Sequence, residues 1–400
     1  MTSEKNNLKE ILEKQIKKSE GILRLDPAWV ARDFLPPGRR LGLPAEQYEF
    51  GELGGICERW LASTTRADNK ISVPDEGLSF IKFDSGEKIT LKDAIEAAPE
   101  LLMGNSYAAN HKGLNRLPKI FDYEYRLPYH IHQMQHHAQL VGRNSKEEAY
   151  YFPEGVEMGK EAETYFGVHP FISSEKKYDL LLPALVEWRD DSILQFARAY
   201  KLMPNDGFHV PSGVLHAPGS ALTIELQEDS DVFAMLQAKT GGKIISKDLL
   251  FKDVRPEDKE KCGEKIILEM IDWETSGDPF FYENRHTPPL LISQDVESEE
   301  YWIYYNTTKF SGKKVVVHPG GKFTGKEKGV YNILVWQGKG SFGGYEIEAK
   351  NFEKDELFIT HERAIRNTEV INTGNEDLII FKFFGPDIND DVPMLKKYGK

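Results

Sequence analysis

Residues 127–137 read LPYHIHQMQHH and carry four of the chain's 11 histidines. Pro128 favours extended backbone before the first of them. In a strand, residues two apart project from one face, so His130 and His132 can converge on a single ion. His136 and His137 follow in QMQHHAQ, a turn or helical pattern, and cannot readily join that face. His-x-His by itself is a weak metal signal. Two later stretches add to it: SKEEAYYF sets Glu148 at the head of an apolar strand, and PSGVLHAPG sets His216 behind a tight Pro211–Gly213 corner.

The rest of the chain frames this cluster. Four hundred residues exceed what one core usually organises, so two domains, or one large domain with an extension, are expected. A net charge of −13 argues against nucleic acid or an anionic membrane as the main partner. No apolar run reaches the ~18 residues that a membrane span needs. MTSEKNNLKEILEK has no signal-peptide core, and the two cysteines, Cys57 and Cys262, read as reduced and structurally silent. The expected location is the cytoplasm.

Leu8, Ile11, Leu12 and Ile16 predict an amphipathic helix over residues 4–23, a packing or oligomer element, with an irregular linker behind it to residue 48. LKDAIEAAPELLMG predicts a helical segment closed by Gly104. Short strands punctuated by Gly and Pro fill the middle, with helical pieces in KYDLLLPALVEWRDDSILQFARAYKL. The polar run SKDLLFKDVRPEDKEKCGEK suggests a boundary or crossover. After it, EYWIYYNTTKF, KKVVVHPGG, YNILVWQGKGSF, YEIEAKNF, DELFITHE and DLIIFKFFG recur at sandwich or barrel spacing. The expected architecture is mainly β: two barrels, with an N-terminal helical extension and helical insertions. Region 1–48 is helix and linker, 49–250 the first barrel, and 251–400 a second barrel without metal, although it contains His318, His361 and Glu362.

His-x-His, a later Glu, then Pro-x-Gly-x-x-His resembles the metal pattern of the cupin superfamily, whose domains are jelly-roll barrels. More narrowly, HIHQ, KEEAYY and PSGVLHAPG resemble the Gln-x-His-Pro, Lys-Thr-Glu-Met-Trp-Tyr and Pro-Ala-Gly-Thr-x-His-Ala runs of the type I phosphomannose isomerases. The flanks ICERWLAS, ITLKDAIEAAPELLMG, LPKIFDYEYRLPYHIH and ELQEDSDVF extend the likeness over residues 57–235. The resemblance implies metal ligands at His130, His132, Glu148 and His216, with catalytic roles for Glu225, Lys119 and Lys146. His130 stands where the family has Gln. Met235 stands where its Asn-Ser-Asp-Thr-Thr-Tyr-Arg run places arginine.

Three imidazoles and a carboxylate suit one divalent ion, zinc first, with manganese or iron as alternatives. The implied activity is a metal-dependent aldose–ketose isomerisation of a sugar or sugar phosphate through an enediolate, with Glu225 as base. The alternatives are a cupin iron dioxygenase or decarboxylase, and a non-catalytic sugar-binding protein. The expected partner is a small carbohydrate, with self-association into a homo-oligomer also considered. Arg126, Arg143 and Arg189 are further candidates for anion contacts, and His209 reads as a packed or rim residue.

Overall fold

The computed structural model describes residues 2–83 and 86–399, residues 2–6 by backbone alone. Two compact units interleave in sequence. One gathers Met1–Val30, Arg59–Lys119 and Thr287–Met394; the other gathers Ala31–Glu58, Ile120–His286 and Leu395–Lys400. Strands dominate and pair antiparallel throughout, with helices set between them, as expected for the fold class.

In the histidine-bearing unit, one sheet runs in spatial order Ala197–Lys201, Glu163–Val168, His216–Ala217, His130–Ile131 and Ala234–Met235. Alternation sends His130 and His132 to one face and Tyr129 and Ile131 to the other. That second face is dry: Ile131, Val168, Ala217 and Leu236 pack with Ile172, Leu185, Leu250 and Ile267 from the helical insertions. Each fully buried Ile or Leu contributes about 1.5–3 kcal/mol to holding the strand in this orientation. The polar run after Ser246 is helical over Lys247–Leu250, Pro256–Cys262 and Lys265–Glu269, and its apolar residues join this same core.

A second sheet of this unit includes, side by side, Gly207–Val210, Glu148–Tyr151 and Thr223–Gln227. Tyr150 is in register with Phe208 and Glu225, and Glu148 with Val210 and Gln227, so these side chains share a face. Phe121, Tyr150, Phe166, Phe208 and Phe281 make an aromatic cluster inside. The Pro211–Gly213 corner forms as expected. Gly213 has φ +81°, its N–H donates to the His132 carbonyl at 2.7 Å, and a Cβ there would strike the Met134 side chain.

The other unit is built on a nine-stranded sheet with a four-stranded sheet of Lys322–Gly325, Thr368–Asn372, Lys339–Phe342 and Tyr345–Glu348. The strands expected after residue 300 all form. The N-terminal helix spans Thr2–Lys18, shorter than its apolar pattern suggests. Gly21, at φ +82°, turns the chain, and Ile22–Asp26 becomes a strand paired with Glu356–Ile359. Helix Leu91–Ala97 begins at Thr90, whose hydroxyl oxygen accepts the Asp93 N–H at 3.0 Å. Leu91, Ile95 and Leu102 join Leu12 and the C-terminal strands in one core. Among the described residues, no helix is long and apolar enough to cross a membrane.

Candidate metal centre

Three strand segments bring His130, His132 and His216 together. Their ligand-type nitrogens lie within 4.8 Å of one another, and all three residues are buried. Each Nδ1 is held by a backbone carbonyl: His130 by Pro128 at 2.6 Å, His132 by Val232 at 2.6 Å and His216 by Val214 at 2.8 Å. A carbonyl only accepts, so each Nδ1 carries the proton and each Nε2 keeps its lone pair.

Glu148 closes the group from the facing sheet. Its Oε2 is 3.0 Å from His132 Nε2 and its Oε1 is 2.9 Å from His216 Nε2. A carboxylate oxygen facing an unprotonated imidazole nitrogen sets lone pair against lone pair. His216 Nε2 accordingly has no hydrogen-bond partner although it is fully buried. The His132 contact is bridged by the Lys146 ammonium, but the His216 contact is repulsive until a cation enters it, so the three imidazoles, with Glu148 beside two of them, fit a divalent metal.

The electrostatics agree. Burial, reinforced by His216 and His132, pushes the His130 imidazole well below its ordinary range, and burial with Lys146 pushes His132 down to about 3. Both are therefore neutral at pH 7, the form that binds metal. Glu148 is held well below the usual carboxylate range. Burial opposes its ionisation, but the Lys146 ammonium, 3.0 Å from Oε2, outweighs that cost.

Lys146 and Glu225, the second a strand carboxylate of uncertain facing from sequence, both point inward. Lys146 Nζ is 3.0 Å from Glu148 Oε2, 3.1 Å from His132 Nε2 and 3.4 Å from Glu225 Oε1. Lys119 is buried on Leu117–Phe121. One participant escaped sequence reasoning. The Tyr150 hydroxyl donates to Glu148 Oε1, and burial with Glu148 and Glu225 raises its pKa well above normal. The signal existed, since Tyr150 follows Glu148 by two in a strand.

The other candidates lie elsewhere. His136 and His137 sit on the short helix Gln135–Ala138 outside the triad. His209 is packed, bonded to Glu147 at 2.7 Å and to Arg285 at 3.2 Å. Arg126, Arg143 and Arg189 are each tied to carboxylates.

No protein-family model and no curated protein matches the chain. Solved structures do. Mannose 6-phosphate isomerase from Bacillus subtilis superposes with TM-score 0.61 at 16% identity, covering 90% of this chain and 99% of that one. A variant of phosphomannose isomerase from Salmonella typhimurium gives 0.63 at 12%, covering 92% and 100%. A zinc-bound mannose 6-phosphate isomerase gives 0.61 at 12%, with the same coverage. This chain has the phosphomannose isomerase fold. In its version of that fold, Met235 pairs in register with His130 and packs with Phe233 and Ile245.

Proposed function

We propose that this protein is a metal-dependent aldose–ketose isomerase acting on a sugar or sugar phosphate. The observation that carries the reading is the donor set: three imidazole nitrogens whose protons are held elsewhere, facing one ionised carboxylate in a water-poor interior. The fold likeness to proteins named as mannose 6-phosphate isomerases supports the same reaction class. His130, His132, His216 and Glu148 would hold the ion, zinc first and manganese or iron otherwise. When bound, a divalent ion supplies Lewis acidity toward a carbonyl and its neighbouring hydroxyl.

The chain's own groups supply the rest. Glu225 takes the proton from one carbon of the bound sugar and returns it to the adjacent carbon, passing through an enediolate, while the hydroxyl proton passes from its oxygen to the former carbonyl oxygen. Lys146 fixes the Glu225 carboxylate by charge and offers its ammonium to the oxygen that gains negative charge. Tyr150 orients Glu148 through its hydroxyl, and the aromatic interior keeps bulk water from the enediolate.

The test joins metal analysis to turnover. Purified protein should hold about one divalent transition ion per chain, interconvert an aldose and its ketose, and lose that activity on chelation. Restoring the ion should restore turnover. In deuterated water, the product should carry deuterium at the carbon that receives the proton. Oxygen consumption with turnover would instead place the protein among cupin oxygenases and sink the proposal.

A further inference from the structure

A row of side chains crosses three adjacent strands beside the centre. His216 pairs with His130, and His130 pairs with Met235 on the edge strand. Cross-strand partners share a face, so the imidazole row ends in a thioether. Around it, Met235, Phe233 and Ile245 form an apolar cluster flanked by Phe34, Leu249 and Trp188. The Val232 carbonyl, one residue from Phe233, is the group that holds His132 Nδ1, so this apolar strand and the metal-type histidines are fixed to each other.

Several cations of this unit are already paired with acids. Lys146 sits between Glu148 and Glu225. Arg143 pairs with Asp253 at 2.9 Å. Lys252 lies 4.0 Å from the centre of the Phe233 ring, donates to the Asp231 carbonyl at 3.2 Å and stands 3.8 Å from Asp253. Arg32 is buried between Glu58 at 2.9 Å and Asp231 at 3.4 Å. A sugar phosphate brings about two negative charges and needs guanidinium or ammonium groups to receive them. Seating one here would set about two phosphate charges in competition with buried carboxylates for these cations, where an enediolate oxygen brings about one. An uncharged sugar makes no such demand, and its C–H faces suit thioether and aromatic surfaces.

We infer that the substrate is an uncharged aldose or ketose without a phosphate, its non-reacting carbons lying against Met235, Phe233 and Ile245. This rests on the isomerase reading and narrows it to one substrate class. The test gives the metal-loaded protein mannose, glucose and fructose beside their 6-phosphates. In parallel, calorimetry measures binding of mannitol and mannitol 6-phosphate, which cannot isomerise.

The free sugar should lead in kcat/KM by roughly tenfold or more, and mannitol should bind more tightly than its phosphate. Met235→Arg should close or reverse both ratios with metal content unchanged, whereas Met235→Leu should keep them. Wild-type preference for the phosphates would overturn this inference and leave the isomerase reading standing. Absence of turnover on every sugar would overturn the isomerase reading, and the calorimetric ratio would then decide the ligand class by itself. Tighter binding of the polyol phosphate, or binding of neither polyol, would overturn the inference.

Discussion

Lys146 places one ammonium among His132, Glu148 and Glu225, all within 3.4 Å. Two buried carboxylates share that charge, so Glu225 is steadied without being locked into a single ion pair. A base in that position must stay ionised and be able to move a proton. Glu225→Gln keeps the shape and removes the base, so kcat should fall by about 10²–10⁴-fold with bound metal unchanged. Activity within threefold of wild type would show that another group carries the proton. The triad was legible in the sequence because two of its anchors are local: Pro128 and Val214 stand two residues before the histidines they hold. Val232, which holds His132, lies 100 residues away along the chain, and no spacing rule reaches it.

At the scale of elements, the strand Ile22–Asp26 shows how a pairing partner overrides an apolar period. Ile22 and Leu23 continue the helical pattern, yet they pair with Ile359 and Phe358 and bury completely. The partner strand also carries a charge conflict. Arg59 makes two 2.7 Å bonds to Asp355, leaving Glu356 a longer contact of 3.1 Å to the same guanidinium. Burial, only partly offset by Arg59, raises Glu356 to about 7 against an ordinary value of 4.5.

A raised carboxyl stabilises the fold fully below about 4.5, and that contribution is lost as pH rises through about 7. Glu356→Gln keeps a carbonyl oxygen for the Ala62 N–H without the ionisation. Its stability advantage over wild type should therefore grow from near zero at acidic pH to about 1–3 kcal/mol by pH 8. Urea unfolding of both proteins across that range measures it. A difference that stays flat would mean the carboxyl is ordinary.

Across the whole molecule, each compact unit gathers distant stretches, whereas a reading along the chain cuts it into successive regions, 1–48, 49–250 and 251–400. The unit that includes the C-terminal strands has its own buried polar centre. Lys382 meets Glu300 at 2.8 Å and Glu327 at 2.7 Å, and Lys313 meets Glu327 at 2.7 Å. Burial disfavours the Lys382 ammonium, but Glu327 and Glu300 outweigh it and raise its pKa. Lys382→Met would take the cation from buried Glu300 and leave Glu327 with Lys313 alone, so the unit should lose about 3–5 kcal/mol, read as a lower unfolding midpoint in denaturant. A loss below about 1 kcal/mol would mean water or relaxation already compensates those acids.

The amino-acid order alone determined what depends on near neighbours. It fixed the alternation that turns His130 and His132 together, the Pro211–Gly213 corner before His216, and the run of short C-terminal strands. Tertiary structure alone decided what depends on distant partners. It set Glu148 against unprotonated nitrogens, turned Glu225 inward against Lys146, placed Met235 beside His130, and made a strand of Ile22–Asp26. Local steric preference and side-chain period act over a few residues, whereas strand pairing and buried charge are set by groups that only folding brings within a few ångströms.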